Sequence, residues 1–177
     1  MNPYRYAQLA QVVQDAQQRY KKAAEKLRDR GDPDDPRTQA FEKALHDFRD
    51  ALSRAYPGDL GRYDRPDQMS VGDILGFLEG DPVFFRSGYF KESLLENLKK
   101  RRLTVEQRRR LRDLILKQVR LCHRREFRRF CKLAPYVADA EMRARLEELT
   151  REPDQAVRRR SQWVLDALEA NPYPERN

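Results

Sequence analysis

Apolar residues return at alternating steps of three and four along the first part of the chain: Tyr6, Leu9, Val13, Ala16, Tyr20, Ala23 and Leu27. That spacing keeps one stripe of an α-helix turned toward a partner. Phe41, Leu45, Phe48, Leu52 and Ala55 repeat it after the break Gly31-Asp32-Pro33-Asp34-Asp35-Pro36. A glycine and two prolines end the first helix, and Pro36 suits the first turn of the second. A turn this short makes the two helices antiparallel, with small alanines allowing close approach and aromatic rings filling the gaps.

Pro57-Gly58-Asp59-Leu60-Gly61-Arg62-Tyr63-Asp64-Arg65-Pro66 interrupts the periodicity. Ser70 with Asp73 three residues on then marks a helix start, followed by Ile74, Leu75, Phe77 and Leu78 and stopped by Gly80-Asp81-Pro82. Further helical stripes are Phe90/Leu94/Leu95/Leu98, Leu111/Leu114/Ile115/Gln118/Leu121 opened by Thr104 with Gln107, and Phe127/Phe130/Leu133/Ala134. Met142/Leu146/Leu149 and Val157/Ser161/Val164/Leu165/Leu168 complete the series. No segment alternates with the two-residue period of a strand. The pattern predicts an all-α chain: a helical hairpin over 1–60, a loop over 61–69, a helical array over 70–171 and a tail over 172–177.

Shifting the sequence by about 30 residues aligns weakly similar segments, in the way helical repeats do. Phe127 falls on Val157, Cys131 on Ser161, Leu116 on Leu146 and Val119 on Leu149. Within the second copy, Glu152-Pro153-Asp154-Gln155-Ala156-Val157-Arg158, followed by Ser161, Val164 and Leu165, resembles the inter-helix turn of a HEAT-type repeat. Glu152 stands where that family usually has Asp, and Ser161 where it usually has Ala. The resemblance covers about 30 residues well, perhaps 100 loosely, and none of the hairpin. It implies stacked helical pairs, an acid-to-Arg tie between helices, and service as a binding scaffold rather than a catalyst. Single pairs cannot bury their faces alone, which argues for stacking on physical grounds too.

The 177-residue chain is 39% hydrophobic and 37% charged, with a net charge of +8. Its apolar residues suffice for a core only if long amphipathic elements share them. No apolar run is long enough to span a bilayer, and the N-terminal residues lack the pattern of a secretory signal. With two cysteines in the whole chain, the expectation is a cytoplasmic protein without a disulfide framework.

The positive charge is concentrated. Residues 99–132 hold fifteen Lys or Arg against three acids (Glu106, Asp113 and Glu126). Arg predominates, and its planar fork favours bidentate contacts to carboxylate or phosphate. Arg is also a good helix former whose stem covers apolar surface while its head stays wet. Exposed ion pairs contribute only about 0–1 kcal/mol each, so stability alone gives little reason to gather so many. The candidate partner- or phosphate-binding residues are Arg101, Arg102, Arg109, Arg112, Arg124, Arg125, Arg128 and Arg129, with Tyr89 from the aromatic cluster Phe84-Phe85-Arg86-Ser87-Gly88-Tyr89-Phe90. Most of that cluster reads as core, and Tyr89 as the ring left partly exposed.

Nothing points to catalysis. A phosphate-cradling glycine loop, a Gly-x-Ser-x-Gly elbow and a His-Glu-x-x-His helix are all missing from the sequence. Cys122, His123 and Cys131 are too few for a zinc site and read as small residues near the apolar stripes; His46 reads as surface or boundary. No cofactor is implied. The sequence therefore predicts a non-catalytic adaptor with a basic face for an acidic protein partner. One alternative is a nucleic-acid-binding protein using the same arginines; another is a structural subunit that self-associates through the hairpin.

Overall fold

The computed structural model describes residues 3–27, 32–56, 66–121 and 126–172. Among these residues eight α-helices follow one another: α1 (Pro3–Lys26), α2 (Pro36–Ala55), α3 (Val71–Gly80), α4 (Ser87–Leu98), α5 (Val105–Leu121), α6 (Phe127–Leu133), α7 (Ala140–Leu149) and α8 (Gln155–Ala170). Short 3-10 turns occupy Pro66–Gln68 and Ala134–Tyr136. No strand occurs among the described residues, so the chain is all-α as the periodicity predicts. Gly31, most of the 57–66 break, Cys122, His123, Arg124 and Arg125 lie outside the described residues. None of the described helices is long and apolar enough to cross a membrane.

The chain forms two compact units, residues 1–69 with 76–87 and residues 70–75 with 88–177. This division differs from one drawn through the 61–69 break, because aromatic packing draws 76–87 to the first unit. There α1 and α2 pack against each other. The Tyr20 ring, late in α1, lies 5.5 Å from Phe41 and 5.7 Å from Phe48 on α2. Phe77 meets Tyr6 at 5.2 Å, and Phe84 meets Tyr56 at 5.0 Å. Such pairs add about 0.5–1.5 kcal/mol each beyond simple burial. Two side chains hold the 81–86 loop: Gln14 Nε2 donates to the Val83 carbonyl at 2.6 Å, and the Tyr56 hydroxyl donates to the Phe85 carbonyl at 2.9 Å. The loop is bracketed by Asp81 and Arg86, both in the left-handed region at φ 42° and 61°, which is uncommon for residues other than glycine.

In the second unit the helix starts follow the sequence signals. Ser70 Oγ accepts from the Asp73 N–H, and Thr104 with Gln107 forms a reciprocal capping box at 3.0 and 3.2 Å. Asp139 caps α7 and Asp154 caps α8 through backbone N–H groups of the first turn. Each such cap stabilises by about 1 kcal/mol. Helix α5 packs on α6, α7 and α8, while α8 also packs on α6 and α7. The core is built from the predicted stripes: Leu94, Leu95, Leu98, Leu111, Ile115, Leu133, Leu146 and Val164 are fully buried. Burying one such side chain contributes about 1.5–3 kcal/mol.

Candidate binding surface

Five of the fifteen cations of the basic stretch are paired with acids among the described residues. Arg109 spans Glu106 and Asp113, its nitrogens lying 2.8 and 3.2 Å from their carboxylate oxygens. Hydrogen bonding to Arg109 holds the Glu106 carboxyl below the ordinary carboxylate range, and the same bond raises the guanidinium. Arg112 pairs with Asp139 at 2.9 Å and donates to the Val137 carbonyl at 3.1 Å, tying α5 to the start of α7. Arg129 reaches from α6 to Glu96 on α4 at 2.9 Å, with Glu92 at 3.7 Å. Lys99 pairs with the same Glu96. Arg101 donates to the Asn97 side chain at 2.9 Å.

Of the predicted set, then, Arg109, Arg112 and Arg129 are engaged by carboxylates, and Arg101 by an amide. Arg124 and Arg125 lie outside the described residues. Arg102 and Arg128 are exposed and make no ion pair among the described residues. Tyr89 is 54% exposed and Phe85 is also exposed, whereas Phe84 and Phe90 are buried. The aromatic cluster is thus split between core and surface along its own length. Cys131 is buried, and His46 is exposed. Among the described residues no group of His, Cys, Asp and Glu side chains is arranged to hold a metal ion.

Between α5 and α7 lies an open groove of about 400 Å³. Leu116 and Met142 supply its apolar part, and Arg109, Arg112 and Arg145 alternate with Asp113, Asp139 and Glu141 around it. Three cations face three acids, and each arginine has one of those acids as an ion-pair partner. The groove therefore carries no uncompensated charge with which to select an ion.

Two functional features escape the sequence reading. Arg160 is buried, 4% exposed, and threads back to α5: its Nε donates to the Val119 carbonyl at 2.6 Å and a terminal nitrogen to the Arg120 carbonyl at 3.2 Å. These are carbonyls of the last helical turn, which have no partner within their own helix. The Glu152 carboxylate completes this junction by accepting from Arg120 at 3.1 Å. Arg158, the arginine of the HEAT-like motif, donates instead to the backbone carbonyls of Glu152 and Pro153 at 2.8 and 2.7 Å. Ser161 donates to the Leu146 carbonyl at 2.6 Å, which satisfies its buried hydroxyl and joins α8 to α7.

The second feature is Trp163, 44% exposed on α8. Its ring lies 6.3 Å from that of Phe127, and the Arg159 guanidinium carbon lies 5.2 Å from its centroid. One signal was available in the sequence: Trp163 falls between the stripe positions Ser161 and Val164, off the apolar face of its helix. Comparison with family models, curated proteins and solved structures yields no match. The reading of this surface rests on its own geometry.

Proposed function

We propose that the protein is a cytoplasmic, non-catalytic adaptor in which a helical hairpin precedes a short HEAT-like array, and that the array binds an acidic protein partner. One observation carries this reading. On the second unit Arg128 and Lys132 of α6 and Arg159 of α8 are exposed and make no ion pair among the described residues, and they lie on the two helices whose Phe127 and Trp163 rings meet, with Trp163 left 44% exposed. Exposed aromatic and arginine side chains on a well-tied scaffold are the usual material of a protein-binding site. The ties from α5 to α7 and α8, through Arg112, Arg120 and Arg160, support the array by fixing the helices that present this surface.

Nucleic-acid binding through the 99–132 stretch has less support, since Arg109, Arg112 and Arg129 would have to abandon acids for phosphates. Affinity capture from the source cell with and without nuclease tests the choice. A retained protein that survives nuclease and elutes between low and high salt supports the adaptor. Loss of all retained material on nuclease treatment would reverse the order of the two readings, and a blank capture would remove both.

A further inference from the structure

A half-exposed aromatic ring on the second unit, Trp163, carries an exposed arginine against it. Arg159 and Trp163 are one turn apart on α8, outside the buried stripe of Val157, Arg160, Ser161, Val164, Leu165 and Leu168. The indole touches Phe127, the first residue of α6. On that helix Arg128 and Lys132 are one turn apart and both point outward. Arg159, Arg128 and Lys132 make no ion pair among the described residues, in contrast to Lys99, Arg109, Arg112, Arg120 and Arg129. Asp166, one turn beyond Trp163, accepts from Gln162 rather than from either cation.

We propose that Trp163 and Arg159 of α8, with Arg128 and Lys132 of α6, form the docking site for an acidic segment of a partner protein that lays an apolar side chain against the indole. The proposal rests on the adaptor reading above and specifies its site. The occupant follows from complementarity. Cations on the two helices that meet at Phe127 and Trp163 match carboxylates on either side of an apolar side chain, and Trp and Arg are among the residues enriched at interface hot spots. A strand of nucleic acid fits less well. Tracking a phosphate backbone needs a row of cations rather than three.

The test uses the full chain and a displayed library of random peptides, selected against wild type and rescreened against Trp163→Ala and Arg128→Glu/Arg159→Glu. Trp163 is the only tryptophan in the chain, so a selected peptide lacking tryptophan can be titrated by its effect on indole emission. The expected peptides carry Asp or Glu around a Phe or Leu. They should shift the emission to shorter wavelength and saturate, and should bind the variants at least about tenfold more weakly. Arg128 and Arg159 are exposed, so the charge-reversed protein tests the site even if Trp163→Ala unfolds. Selected peptides indifferent to both variants would overturn this site and leave the adaptor reading standing. A library that yields no binder would overturn the proposal, and only a blank capture as well would remove the adaptor reading. A blue shift with single-stranded DNA, abolished by the same variants, would overturn it in favour of nucleic acid.

Discussion

The Nε of Arg160 donates a 2.6 Å hydrogen bond to the Val119 carbonyl across 41 residues of sequence. A buried guanidinium thereby finishes the last turn of α5, where positive charge also complements the helix dipole. Arg160→Met keeps much of the apolar stem but orphans those carbonyls. Charge-assisted hydrogen bonds and the desolvation of what they leave behind put the loss at about 2–3 kcal/mol. Urea unfolding should show a lower midpoint with an unchanged slope, since the packed area is preserved. Arg160→Lys should recover only part of it, because one ammonium cannot reach two carbonyls with the geometry of the fork.

Lys91 and Glu126 form an ion pair at 3.8 Å, their side chains only 2% and 4% exposed. Removing one member leaves the other charge buried without this counter-ion. Lys91→Met or Glu126→Leu alone should cost about 3–5 kcal/mol, while the double substitution should restore most of the loss. A double-mutant cycle by chemical denaturation checks this: strong coupling is expected, and additive losses would contradict it.

Asp139 has two duties, accepting from the Met142 N–H at 2.8 Å and pairing with Arg112. Asparagine retains the cap and loses the charge, whereas alanine loses both. Asp139→Asn should cost no more than about 1 kcal/mol, the range of partly exposed ion pairs. Asp139→Ala should cost about 1 kcal/mol more, the contribution of an N-cap. Equal losses in thermal or urea unfolding would mean that the cap contributes nothing.

Glu96 carries a pH dependence. Desolvation alone would raise its pKa, but the hydrogen bond and charge of Lys99, reinforced by those of Arg129, outweigh burial and lower it. A carboxylate with a lowered folded pKa stabilises fully above its unfolded value, and that contribution disappears as pH falls through the folded one. Stability should therefore decline below about pH 4.3, where an unfolded glutamate begins to protonate. Glu96→Gln should flatten that part of the acid limb, as measured by urea midpoints between neutral and acidic pH.

The helices were legible because their signals are local. Thr104 and Gln107 close the box that their spacing announces, Ser70 receives the Asp73 N–H, and Asp35 caps α2 ahead of Pro36. What proved illegible depends on pairing across distance. The arginines of 99–132 looked like a single charge reservoir, yet apart from Glu106 and Asp113, which hold Arg109, their acids come from outside the stretch: Glu92 and Glu96 before it, Asp139 and Glu152 after it. Segment totals cannot show such neutralisation. Arg160 was invisible for the same reason, since its partners are backbone carbonyls that every residue has. Tyr89 was correctly expected at the surface, while Phe85 beside it was assigned to the core.

The buried lysine and glutamate also constrain how this sequence can drift. A lineage that replaces Lys91 first must pass through a protein whose buried carboxylate has lost this counter-ion, and one that replaces Glu126 first through a buried ammonium that has lost it. Each intermediate approaches the total margin by which a domain of this size stays folded. The two codons should change together or not at all. Among descendants of this gene, a lost lysine at position 91 should be accompanied by a lost acid at position 126, even where the surrounding surface has been rewritten.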